Sequence, residues 1–178
     1  MQATPNRRHW RAGGHQARRI APSGFTLVEL MVAVAVLAVL LVIAVPSFKR
    51  LTLSNRLSTT ANDVVLAVNT ARIEAIKRNA TTLVCSDGSV YVTTCSTGTK
   101  VRSALTGLDS TIKVSGGSIV GLSFSPQGLA NKTGSTGAYG GPVVDICTTG
   151  MTSDNHRVIT MIGGSILTTT TSSGATCQ

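Results

Sequence analysis

Sixteen consecutive apolar residues, Leu30 to Val45, constrain this chain more than any other feature. Phe25 to Val28 extend the run on its N-terminal side, across the single charge of Glu29. As a helix, residues 25–45 would measure roughly 30 Å, about one hydrocarbon thickness of a bilayer. Such a surface has to lie in lipid or be covered by other apolar helices. A secretory signal peptide fits poorly, because its apolar core spans only about 7–15 residues and ends at a small-residue cleavage site. Here Pro46, Ser47 and Phe48 follow, and the chain continues in helical register.

Charge is arranged around this run. The formal net charge is +9, with a pI near 10.2, a balance that invites a nucleic-acid reading. Yet 42% of the residues are hydrophobic, 13% charged and 3% aromatic. That composition excludes a disordered polycation and lacks the dense cations and stacking rings of a nucleic-acid binder. Five of the sixteen basic residues, Arg7, Arg8, Arg11, Arg18 and Arg19, fall in the first 24 positions, which contain no acid. A leader of that kind stays in the cytoplasm, so everything after Val45 is expected on the outer side of a membrane.

Cys85, Cys95, Cys147 and Cys177 all lie beyond the run, with no C-x-x-C pair and no clustered histidine to suggest zinc. On the oxidising side of a membrane they make two disulfides, for which three connectivities exist. The pairing favoured is Cys85 with Cys95 and Cys147 with Cys177, each contributing roughly 3 kcal/mol on a loop-entropy basis.

Glu29 is the anomaly of the apolar run. An ionised side chain at membrane depth costs on the order of 2.5–3.5 kcal/mol on insertion scales, so it sits hydrated near the interface or has a partner and a role. If the chain were cut between Gly24 and Phe25, the new amine of Phe25 would be a cation able to pair with this carboxylate.

Beyond Pro46 the helical period persists. Leu57, Ala61, Val64, Val68, Ala71 and Ala75 recur at steps of three and four, opposite a face bearing Arg56, Asn62, Asp63, Asn69, Lys77 and Arg78. The spacing predicts one helix from about 26 to 79, bent or loosened at Pro46, with Glu74 and Arg78 placed for an ion pair. After Asn79 the period becomes alternating and Thr and Gly abound. Strands are expected at 83–86, 90–94, 111–115, 118–124, 143–148, 157–162 and 165–170. Asp87-Gly88, Gly116-Gly117 and Gly163-Gly164 read as hairpin turns, and 125–142 as an extended loop. The fold class is α+β, one long helix laid on an antiparallel sheet of about seven strands.

Gly24-Phe25-Thr26-Leu27-Val28-Glu29-Leu30, followed by the apolar run and Pro46, resembles the class III signal of type IV pilins and type II secretion pseudopilins. The resemblance implies a pilin fold and cleavage after Gly24 by a prepilin peptidase that methylates the Phe25 amine. It also implies pairing of Glu29 with the Phe25 amine of a neighbouring subunit. On that reading residues 1–24 are a removed leader, 25–53 a transmembrane and filament-core helix, and 54–178 a periplasmic α+β domain. The implied partners are other pilin or pseudopilin subunits, the peptidase and an inner-membrane assembly platform. The long helix, the Thr/Gly-rich sheet, the segment Phe124-Ser125-Pro126-Gln127-Gly128 and a late hairpin near Arg157 further resemble the GspH/FimT group of minor pilins and pseudopilins. Some of that group carry a Gly-Arg-x-Arg turn tied to DNA capture. The matching place here reads Gly163-Gly164-Ser165-Ile166-Leu167, without arginine. The two disulfides and the Thr- and Gly-rich sheet tilt the reading toward the pilus.

Enzyme chemistry finds little footing. His9 and His15 lie in the leader, His156 reads as a surface strand residue, and no nucleophile elbow or phosphate-cradling glycine loop occurs. Asp87, Asp109, Asp145 and Asp154 are isolated in sequence, so no metal or cofactor is expected. For nucleic acid, Lys100, Arg102 and Lys113 are the cations that would form a patch, but the region after residue 54 holds nine bases against six acids, and a solvated surface is the stronger reading.

Overall fold

The computed structural model describes residues 24–105, 108–174 and 177. Of the leader expected over 1–24, only Gly24 falls among them. The chain divides between Leu41 and Val42 into two compact units.

Helix α1 runs from Leu27 to Arg78, unbroken through Pro46. Proline has no N–H to give the Val42 carbonyl, so one rung of the ladder is missing there. Thr26 caps the start: its hydroxyl accepts from the Glu29 N–H at 3.2 Å, the first half of a capping box. The end is a Schellman motif, in which Asn79 takes φ 47°, its N–H donates to the Ile76 carbonyl, and Ala80 N–H donates to the Ala75 carbonyl at 3.2 Å. Lys77 and Arg78 complement the helix dipole in the last turn.

In the first unit, every described residue from Gly24 to Leu41 is exposed. In the second, the helix buries Leu57, Ala61, Val64, Ala67, Val68, Ala71 and Ala75. Six of these form the stripe read from spacing. The four alanines let the helix backbone approach the sheets closely, while Leu57, Val64 and Val68 fill the space between. Burying each of those three contributes about 1.5–3 kcal/mol.

Among the described residues nine strands follow: β1 (Thr82–Val84), β2 (Ser89–Val92), β3 (Thr99–Ser103), β4 (Ile112–Val114), β5 (Leu122–Phe124), β6 (Ala130–Lys132), β7 (Gly141–Thr148), β8 (His156–Ile162) and β9 (Ile166–Ser172). They form two antiparallel sheets, not one. The first has the order β3-β2-β1-β5-β6 and the second β4-β7-β8-β9. Val84, Val90, Leu122 and Phe124 of the first and Val143, Ile146, Ile159 and Met161 of the second share one core with the helix stripe.

Two of the three expected turn dipeptides turn hairpins. Asp87 accepts from the Ser89 N–H beside Gly88 at φ 78°, and Gly163 and Gly164, at φ 57° and 68°, turn β8 into β9. Gly116-Gly117 does not. Its flanking strands belong to different sheets, β4 pairing with β7 and β5 with β1. The connecting residues stitch the sheets instead: Ile119 N–H donates to the Ser86 carbonyl and Val120 N–H to that of Val143. Residues 118–121, expected in a strand, are therefore spent on this crossing. The region 125–142, expected as a loop, holds β6 and the start of β7, and β3 was not foreseen.

Candidate assembly site

The helix start is the first candidate. Gly24 is exposed, with nothing within 4 Å of where a side chain would begin, so the fold itself makes no demand for glycine there. Phe25 is 79% exposed. The cap at Thr26 draws on the Glu29 backbone N–H alone, and among the described residues the Glu29 carboxylate has no hydrogen bond or ion pair. That carboxylate stands in the first helical turn, where the positive end of the helix dipole favours it. From Leu27 to Val45 the surface is apolar and exposed, and the helix is long and apolar enough to cross a membrane.

Past Pro46, arginines tether the helix to the loops of its own unit. The buried Arg157 guanidinium donates to the Ser54 hydroxyl at 3.0 Å and to the carbonyls of Asp154 and His156. Arg72 donates to the Ser165 carbonyl in the β8–β9 turn at 3.1 Å. Arg56 pairs with Asp109, whose carboxylate also accepts from the Thr111 N–H and hydroxyl. Those Thr111 bonds first, and the Arg56 charge second, hold Asp109 below the ordinary carboxylate range. Arg78 donates to Glu74 at 2.5 Å, and this bond chiefly lowers the Glu74 carboxyl.

The Phe124–Gly128 segment is a turn pressed against the helix. Gly128 N–H donates to the Ser125 carbonyl at 2.8 Å. A side chain at Gly128, already at φ 79°, would meet Ile76 Cδ1 at 2.8 Å. Glycine is required here twice over, by backbone conformation and by space.

The C-terminal tail is clasped to the second sheet. Cys147 is bonded to Cys177, and Cys85, at the β1–β2 turn, to Cys95. The Asn155 amide both donates to and accepts from the Gly174 backbone. His156, read from sequence as a surface residue, is buried instead: its Nδ1 bonds the Asp145 carboxylate at 2.8 Å. It shares a strand face with Val158, opposite the core residues Ile159 and Met161, and its partner, eleven residues away, left no sequence signal.

The three cations considered for nucleic acid stand on two sheets. Lys100 and Arg102 lie on β3, with Lys100 over the Tyr91 ring and Arg102 3.9 Å from Asp63, while Lys113 lies on β4.

Comparisons with known proteins bear on both parts of the chain. A family model described as type II transport protein GspH matches residues 60–165, and one described as the prokaryotic N-terminal methylation motif matches residues 21–45. No curated protein and no solved structure matches the chain.

Proposed function

The chain belongs to the GspH family of type II transport proteins, and from that premise we propose that it is a minor fibre subunit made as a membrane-anchored precursor and cut after Gly24. Proteins of this kind are structural pilins or pseudopilins of type II secretion or type IV pili, and they assemble with other pilin-type subunits. The apolar N-terminal helix and the methylation motif go with membrane anchoring.

The observation that carries the proposal is α1 itself, exposed and apolar up to Val45 and buried along one stripe from Leu57 to Ala75. In the precursor the apolar part crosses the inner membrane once, with the arginine-rich leader in the cytoplasm and residues 54–178 in the periplasm. A prepilin peptidase removes residues 1–24 and methylates Phe25. An inner-membrane platform then moves the helix from lipid into the fibre, where neighbouring helices replace lipid as its surroundings. Glu29 recruits the Phe25 amine of a neighbour and sets register, and the gap at Pro46 lets the helix adjust between the two settings. The family description favours the pseudopilus of type II secretion; within the fibre the chain helps to initiate or cap assembly. The type IV pilus is the second reading, favoured by the two disulfides and the Thr-rich β9.

The mass of the chain recovered from membranes tests the processing: it should begin at Phe25 and carry one methyl group, and a chain that retains Gly24 overturns the assigned cut. Deleting the gene separates the fibres. Lost protein secretion with surface pili intact is expected; the reverse result assigns the chain to the pilus.

A further inference from the structure

The last residues of the apolar run, Val42 to Val45, belong to the second unit together with everything that follows them. Within that unit α1 continues through Pro46 and Ser47 to Phe48, Lys49, Arg50 and Leu51. The helix alone sets their level: Lys49 lies about 6 Å beyond Val45 along the axis. Phe48 and Leu51 are 70% and 58% exposed, and Lys49 and Arg50 are exposed between them.

Charge on this stretch has one sign. From Pro46 to Asn62 the chain carries Lys49, Arg50 and Arg56 and no acid. Farther along the helix, Arg56 is neutralised by Asp109, and Lys77 and Arg78 by Glu74. Among the described residues Lys49 and Arg50 have no carboxylate partner, and the Arg50 guanidinium reaches only the Thr152 hydroxyl, at 3.4 Å. Two grooves begin beside Phe48. The larger, about 490 Å³, lies between the helix and the segment of Leu108 and Ile112 and includes Asn55. The smaller, about 340 Å³, includes Lys49, and Phe48, Thr52 and Arg56 border both.

We propose that this stretch of α1 is a seat for anionic phospholipid in the leaflet that meets the second unit. Lys49 and Arg50 take the lipid phosphates, their stems lying along the apolar helix surface and their charged heads at headgroup level. Phe48 and Leu51 rest at the acyl boundary, and Thr52 and Asn55 offer the headgroup polar partners in the grooves. The seat rests on membrane anchoring of the helix.

The helix itself selects lipid as the occupant. The stretch continues directly from the apolar run, so its first turn emerges where hydrocarbon gives way to headgroups. Apolar and cationic side chains alternate there over four residues, the composition of an interfacial segment. The two cations then select among lipids. A zwitterionic headgroup satisfies Phe48 and Leu51 equally well but leaves Lys49 and Arg50 without net compensation, whereas an anionic one supplies the charge that the fold does not. Bound in this way, the lipid fixes the depth of the chain and opposes its departure from the membrane.

The test uses the full chain in vesicles of equal parts phosphatidylglycerol and phosphatidylcholine, with Trp10→Phe and Phe48→Trp leaving a single indole at the seat. Quenching by brominated phosphatidylglycerol is compared with quenching by brominated phosphatidylcholine. The expected relative association is about fivefold in favour of the anionic lipid, the preference that one uncompensated cation gives at such a surface. It should fall to about one in Lys49→Gln/Arg50→Gln and on addition of salt, and stay unchanged in Lys132→Gln, which removes an exposed cation of β6. Equal quenching by the two lipids overturns the proposal. So does a preference that survives in the double variant, or one that Lys132→Gln abolishes as well. Flotation of the vesicles is scored on the same samples. An indole that neither lipid quenches, in a chain that floats, rejects the seat alone and reports that protein covers Phe48. A chain that does not float rejects membrane anchoring and the seat with it.

Discussion

The Arg157 guanidinium donates to the Ser54 hydroxyl at 3.0 Å, joining strand β8 to the helix across 103 residues of sequence. Two more of its bonds go to backbone carbonyls, and the side chain is buried. Arg157→Met should lower unfolding stability by about 2–4 kcal/mol, because the carbonyls of Asp154 and His156 lose their donor. Ser54→Ala should cost about 1 kcal/mol, and a double-mutant cycle by denaturant unfolding should show the two changes coupled. Additive effects would mean that the bond does not form.

The Thr26–Glu29 cap separates two roles that one residue could confuse. Glu29→Ala keeps the backbone N–H that bonds Thr26, so membrane insertion and helix start should persist while fibre incorporation fails. Thr26→Ala should loosen the helix start by about 1 kcal/mol and leave incorporation in place. Normal fibres from the Glu29→Ala chain would remove the carboxylate from assembly.

Gly128 and Gly116 have nearly the same backbone angle, φ 79° and 75°, but only Gly128 lies against the helix. Alanine at Gly116 should cost about 1 kcal/mol, from the left-handed conformation alone. At Gly128 it should cost more, because Ile76 must also move. Thermal unfolding of the two variants compares them directly, and equal midpoints would count against the close approach.

Glu74 and Asp109 both titrate below their ordinary range, held down mainly by hydrogen bonds from Arg78 and Thr111 respectively. A lowered folded pKa means that the contribution is complete above the unfolded value and is lost as pH falls through the folded one. The melting temperature should therefore hold from neutrality to about pH 5 and fall below about pH 4, with part of that fall absent in Asp109→Asn. An Asp109→Asn chain as acid-sensitive as the parent would contradict this.

The helix was legible because its face is one-dimensional information: Leu57, Ala61, Val64, Val68, Ala71 and Ala75 recur at the helical period, and all are buried. Strand positions were partly legible by alternation and turns, but partnership was not. Gly116-Gly117 looks like the hairpin turn at Gly163-Gly164, yet it joins strands whose partners, β7 and β1, lie elsewhere in the chain. His156 looked superficial because it is polar, and nothing in the sequence marked Arg157 as buried. Their burial depends on Asp145, Ser54 and two carbonyls that only the folded sheet brings near. At the helix start the residues Gly24 to Glu29 could be read directly, because their pattern is contiguous.

The two disulfides are consecutive, Cys85–Cys95 and then Cys147–Cys177, neither nested nor interleaved. On the topology proposed above, export from residue 46 onward would deliver the thiols to an oxidase in the order in which they pair. The first bridge can close before Cys147 has crossed, so vectorial export with a simple thiol oxidase yields the native bridges. On that topology the expected result is that native bridges form without a disulfide isomerase.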